Sequence, residues 1–159
     1  MGQSSPKILL AEPDPAARRI VERPVRAAGY DVQTVGTAAE MLLICEVHPP
    51  DILIMEVKLP DMDGFEAIQH VRHQTRDTDL TIIITTDATD EMTRRYLGPM
   101  VDYAGGDFFF SKPCDGQLIV ELLEELSGPT TPLSTGGRSG FPTRVVWPTS
   151  RSRLVAVHA

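Results

Sequence analysis

Ile52-Leu53-Ile54-Met55 is a run of four apolar residues without alternation, set between the turn signal His48-Pro49-Pro50-Asp51 and the segment Glu56-Val57-Lys58-Leu59-Pro60. A strand with one wet face would interrupt such a run at every second position. Unbroken and bounded by Pro and Asp, it suits a strand covered on both faces, as in a parallel sheet. Glu56 then stands at the carboxyl end of that strand, where open α/β sheets hold their ligand crevice. A carboxylate there is either solvated or paired, because burying it alone is costly.

The rest of the chain repeats this unit. Lys7-Ile-Leu-Leu-Ala11 reads as a first strand, ended by Glu12-Pro13-Asp14-Pro15. Ala16, Ile20, Val21, Val25 and Ala28 then recur at helical spacing up to Gly29, with Pro24 inside the helix as a kink. Tyr30–Val35 is a second strand, and Thr37-Ala-Ala-Glu40 has the form of a capping box that opens a second helix. After the central strand, Asp61-Met-Asp-Gly64 is a turn, and Phe65, Ile68 and Val71 mark a third helix. Leu80–Thr85 is β-branched and apolar, hence a fourth strand. A fourth helix is expected from about Thr89 to a stop near Gly98-Pro99. Asp107–Ser111 is a fifth strand, and Leu118, Ile119, Leu122, Leu123 and Leu126 mark a last helix ended by Gly128-Pro129. Five strands alternating with five helices imply an α/β fold with a parallel sheet covered on both faces. Residues 1–127 form this domain.

Residues 128–159 differ in composition. Residues 128–142 are rich in Gly, Pro, Ser and Thr, and Thr143–Trp147 and Arg153–Val157 are strand-like. Two readings stand for this tail: a docked segment anchored by Trp147, and an unstructured extension. The charge divides at the same place. All 22 acids lie in residues 1–127 with 11 basic residues, a net charge of −11, whereas the tail carries Arg138, Arg144, Arg151 and Arg153 and no acid. An acidic body does not suit direct contact with nucleic acid, which rests on neutralising phosphates.

Nothing approaches 18 consecutive apolar residues, and residues 1–6 lack an apolar secretory core, so the expectation is a cytoplasmic protein without membrane contact. Cys45 and Cys114 are isolated and read as small hydrophobes in a reducing compartment. His48, His70 and His73 read as surface residues. No Gly-rich phosphate loop, Ser-His-Asp order or Cys/His metal spacing is present, which argues against an enzyme.

The strand ends carry the chemistry. They hold Glu12, Glu56, Thr85-Thr86 and Ser111-Lys112-Pro113. In a parallel sheet these converge on one crevice, bringing together two carboxylates, a hydroxyl and an ammonium. That set is suited to an acyl phosphate and a cation.

On these residues, and on Asp51-Ile-Leu-Ile-Met-Glu-Val-Lys-Leu-Pro-Asp-Met-Asp-Gly-Phe-Glu66 and Gly106-Asp-Phe-Phe-Phe-Ser-Lys-Pro113, residues 7–127 resemble the receiver domain of two-component response regulators. The resemblance implies a flavodoxin-like (βα)5 three-layer sandwich with strand order 2-1-3-4-5. It implies a phosphoacceptor place at the end of strand three, a Mg²⁺-binding acid pair after strand one, and partners such as a histidine kinase, another signalling protein or a second copy of itself. Thr86 and Lys112 match the residues that hold the phosphoryl oxygens, and Phe109 matches the aromatic that reorients on activation. Lys112-Pro113 resembles the family's cis peptide.

The departures shape the functional expectation. The phosphoacceptor place holds Glu56 instead of Asp, and the acid pair reads Glu12-Pro13, with Asp14 one place further on. Proline supplies no metal ligand, and Mg²⁺ demands near-ideal octahedral geometry. No metal ligand or cofactor is therefore assigned, and Mg²⁺ binding is expected to fail. Asp87 adds negative charge after Thr86, and residues 97–104 lengthen the connection after the fourth helix. The chain reads as a stand-alone, atypical receiver that works by protein contact. Glu56 imitates a phosphate in part, with Lys112 as its main charged contact, Thr86 close to its carboxylate and Phe109 turned inward. The alternative is a working phosphoacceptor with an unusual carboxylate, or a cation held by Glu12, Asp14 and Glu56.

Overall fold

The computed structural model describes residues 5–75, 79–87, 99–100 and 103–127. Five parallel strands, β1 (Lys7–Ala11), β2 (Asp31–Val35), β3 (Ile52–Glu56), β4 (Thr81–Thr86) and β5 (Phe108–Ser111), lie in the order β2-β1-β3-β4-β5. That is the flavodoxin-like order. Among the described residues, four full helices connect or follow them: α1 (Pro15–Ala27), α2 (Ala38–Val47), α3 (Gly64–Thr75) and α4 (Gly116–Ser127). The register aligns Ala11 with Met55 and Glu56 with Thr85, so successive strands end at nearly one level.

Strand alternation makes two cores. Leu9, Leu53, Met55, Ile82, Ile84 and Phe109 face α2 and α3, while Ile8, Leu10, Ile52, Ile54, Ile83 and Phe110 face α1 and α4. All five residues of β3 are buried, as the unbroken apolar run requires of a central strand. One half of the capping box is formed, with Thr37 Oγ1 accepting from the Glu40 N–H at 3.2 Å, while the return contact shifts by one residue: Glu40 Oε2 accepts from Thr37 Oγ1 at 2.9 Å and from the Gly36 N–H at 3.2 Å. Asp61, in the turn before α3, caps the same helix, accepting from the Ala38 and Ala39 N–H groups at 2.8 and 2.9 Å. Those two bonds hold its carboxyl below the usual range.

The expected fourth helix falls largely outside the described residues. Its expected stop is corrected, however, because Pro99–Met100 and Tyr103–Ala104 are helical. Gly105, with φ +100°, is the residue that ends the helical backbone, a left-handed position that favours glycine. Arg72 ties this corner down, donating from Nε to Gly105 O at 2.8 Å and from an Nη to Asp107 Oδ2 at 2.8 Å. Asp107 Oδ2 also accepts from the Ile82 N–H at 2.8 Å.

Pro24 lies inside α1 as expected, and Ile20, four residues earlier, loses that N–H as a partner. The backbone of Gly116 approaches this place. A Cβ on Gly116 would stand 2.2 Å from Ile20 O and 2.7 Å from Pro24 Cγ. Gly→Ala in a helix ordinarily stabilises by up to ~1 kcal/mol. Here the sign reverses: Gly116→Ala is expected to force α1 and α4 apart and cost about 1–3 kcal/mol. A thermal melt of the variant checks this, and a melt above wild type would refute it.

Candidate functional site

The carboxyl ends of β1, β3, β4 and β5 meet along one edge of the sheet, and the sequence places an ionisable or hydroxyl residue at each. Glu12 follows β1, its N–H donating to Val35 O at 3.0 Å. Glu56 is the last residue of β3. Both are only 4% exposed. Lys112 follows β5 and precedes a cis bond to Pro113. Its N–H donates to Thr86 O at 2.6 Å, which fixes the start of its side chain against β4.

The Lys112 ammonium lies between the two carboxylates. Nζ donates to Glu12 Oε2 at 2.5 Å and forms an ion pair with Glu56 Oε2. The other two oxygens are taken by backbone. The Asp14 N–H donates to Glu12 Oε1 at 3.0 Å, and the Lys58 N–H donates to Glu56 Oε1 at 3.0 Å. All four carboxylate oxygens thus have a donor. The Lys112 side chain is 18% exposed. Its burial alone would lower its pKa, but the hydrogen bonds and charges of Glu12 and Glu56 outweigh that and hold it above the ordinary lysine value. The ammonium therefore stays charged across the neutral range.

Each expected site residue has a place in this arrangement. The sequence reading makes Glu56 the main partner of Lys112; the structure divides the ammonium between Glu56 and Glu12, because β1 and β3 are adjacent strands and both side chains reach the same point. Asp14 is exposed and is the N-cap of α1, its Oδ1 accepting from the Ala16 N–H at 2.9 Å. It supports the acidic pocket through its N–H to Glu12 rather than through its carboxylate. Thr86 is buried, but the rung opposite Glu56 is Thr85, while Thr86 faces Ser111. Among the described residues, Thr86 makes no hydrogen bond to the Glu56 carboxylate, whose two oxygens are already engaged. Phe109 is turned inward, 2% exposed in the core under α2 and α3.

Two features escaped the sequence reading. Asp87 reads there as surplus negative charge, yet its Oδ1 accepts from Lys58 Nζ at 2.7 Å across the mouth of the crevice. The pair is exposed and contributes little to stability, but it cancels the Asp87 charge; the hydrogen bond and charge of Lys58 hold the Asp87 carboxyl below its usual range. Arg18 donates from Nε to Glu12 O at 2.9 Å and braces the turn after β1. Its position in the first turn of α1 gives no signal in the sequence. His48, His70 and His73 are exposed, as expected.

The donor set does not fit Mg²⁺. Residue 13 is proline and offers no ligand atom. Glu12 and Glu56 spend every oxygen on Lys112 or on backbone N–H groups, and the ammonium stands where a cation shared by them would sit. Among the described residues no group of three or more His, Cys, Asp or Glu is arranged to hold a metal ion. Nor is any described helix long and apolar enough to cross a membrane.

The model of the response regulator receiver domain matches residues 8–124. The DNA-binding dual master transcriptional regulator RpaA of Synechocystis is 30% identical over 121 residues, 76% of this chain and 48% of that protein. The chain spans about half the length of the curated relatives it matches. Chemotaxis response regulator CheY4 of Vibrio cholerae has the same fold, with a TM-score of 0.68, 24% identity, and 77% of this chain and 99% of that one covered. The receiver domain of a sensor histidine kinase of Pseudomonas aeruginosa, solved with a magnesium ion coordinated in its active-site cleft, is 25% identical with a TM-score of 0.66 over 77% of this chain and 98% of that one.

Proposed function

This chain belongs to the response regulator receiver domain family, and from that premise we propose that it is an atypical receiver of a two-component system whose crevice is held by an internal ion cluster instead of by an acyl phosphate. It acts by contact with a histidine kinase or another signalling protein. The observation that carries this reading is the Lys112 ammonium between Glu12 and Glu56. In an ordinary receiver the lysine must be free to meet the incoming phosphoryl oxygens, and phosphoryl transfer depends on positioning and metal charge. Here both requirements meet an occupied site. Glu56 supplies one fixed charge where a phosphate would supply roughly −1.5 to −2, so it imitates the phosphorylated state in part. The inward Phe109 supports that reading, and the missing bond to Thr86 limits it to the lysine half of the switch.

The expectation of no contact with nucleic acid is not carried forward. Longer relatives, of which this chain matches about half, are named as transcriptional regulators, one of them as DNA-binding, and the proposal is confined to the receiver unit. Its test is incubation of the full chain with acetyl phosphate and Mg²⁺, followed by intact-mass measurement. The expected result is no phosphoryl adduct over hours. A stoichiometric adduct that maps to Glu56 would overturn the proposal in favour of a working phosphoacceptor.

A further inference from the structure

Helix α2 is apolar on more sides than the domain covers. Of its ten residues only Glu40 and Glu46 are charged. Ala38, Met41 and Cys45 form the buried stripe. One turn apart on the opposite side, Leu43 is 61% exposed and Val47 is 58% exposed. Leu42 and Ile44, only partly buried, flank them. A helix at the surface of a domain ordinarily shows a polar outer face; this one shows an apolar patch, and the only charged residues of the helix itself are two acids.

A second copy fits that face poorly, since an isologous pairing of this patch brings the acids Glu40 and Glu46 of one copy toward those of the other. The chain itself carries a segment of the complementary kind, outside the described residues. Residues 128–159 hold four arginines and no acid, and Val145, Val146 and Trp147 follow Arg144 directly. The geometry allows the contact. Crossover helices run opposite to the strands of a parallel sheet, so the last residue of α4, Ser127, and the last of α2, Val47, lie at the same edge of the sheet on opposite faces. Residues 128–142 can span up to ~50 Å, against a diameter of roughly 35 Å for a domain of this size. That edge is remote from the crevice of Glu12, Glu56 and Lys112.

We propose that the segment Thr143–Trp147 docks on the outer face of α2, with Trp147 against Leu43 and Val47 and Arg144 toward Glu46. The segment covers the patch that the folded domain leaves open, and it does so independently of the state of the crevice.

Trp147 is the single tryptophan of the chain, so its fluorescence reads the contact directly in the full-length protein. The expected emission is blue-shifted from that of solvated indole and shielded from acrylamide. Leu43→Asp with Val47→Asp should abolish the shift and raise quenching about two-fold or more. Ile20→Asp, at an exposed apolar site on α1, should change neither. Should the α2 double variant fail to fold by circular dichroism, Arg144→Glu, outside the domain, should still weaken the shielding. Solvent-like emission in the wild type would overturn the proposal, as would shielding that survives the α2 double variant. Shielding that grows with protein concentration would assign the face to a second copy and likewise overturn it.

Discussion

Replacing Lys112 with Met should lower the melting temperature by roughly 10–15 °C, the largest loss expected from any single substitution at the crevice. The variant leaves Glu12 and Glu56 facing each other across the place of the ammonium, both nearly buried. Removing one partner from a buried ion pair costs ~3–5 kcal/mol, because an uncompensated charge stays behind. With the Lys112 side chain 18% exposed, the lower end of that range applies. A domain of this size loses about 3–5 °C per kcal/mol. Glu56→Gln should cost less, since Lys112 keeps Glu12. Combining Glu12→Gln, Glu56→Gln and Lys112→Met should recover most of the loss, because a neutral set leaves no charge unpaired. A Lys112→Met melt within a few degrees of wild type would show that the cluster is solvated and holds nothing.

The pH dependence has a definite sign. The folded-state pKa of Lys112 lies above its unfolded value. Its contribution is therefore fully present below the ordinary lysine pKa near ~10.4 and is lost as pH rises through the higher folded value. Wild-type stability should hold from neutral pH to about pH 10 and fall beyond it. The Lys112→Met variant should lack that alkaline component.

The fold was legible because its signals are local and repeated. The unbroken Ile52–Met55 run fixes β3 as a central strand, and the Thr37–Glu40 capping box and the turns after each strand set the alternation from which the strand order follows. The helical backbone at Pro99–Met100 and Tyr103–Ala104 is not legible in the sequence, because Gly98-Pro99 is the stronger pair of breakers there, whereas Gly105 is held from another helix by Arg72, which donates to its carbonyl. The site was legible to the level of which residues converge. How they share charge was not. That Lys112 serves Glu12 as well as Glu56, and that Asp87 is neutralised by Lys58, depends on which strands are neighbours and on side-chain reach, and spacing along the chain encodes neither.

The second large effect is a gain. Wild-type protein should show no rise in melting temperature with 10 mM Mg²⁺, whereas Pro13→Asp combined with Glu56→Asp should show one of roughly 5 °C. The two changes act on separate obstacles. Glu56→Asp withdraws the carboxylate by one methylene and loosens its hold on Lys112. Pro13→Asp adds a ligand where proline has none. Together they place three carboxylates, Glu12 and two new aspartates, against one ammonium, and the surplus negative charge favours a divalent cation over a second hydrogen-bonded lysine contact. For a dissociation constant on the order of 1 mM, 10 mM ligand stabilises the folded state by about 1.4 kcal/mol, which gives the stated shift. Each single variant should respond far less, because Glu56→Asp alone still lacks the ligand at position 13 and Pro13→Asp alone still meets Lys112 clamped by Glu56. Such non-additivity is the mark of residues that share one cluster. Isothermal titration with Mg²⁺ on the four proteins measures it. Sub-millimolar binding by the wild type would show that Lys112 yields its place readily, and the occupied-crevice account of this receiver would then fail.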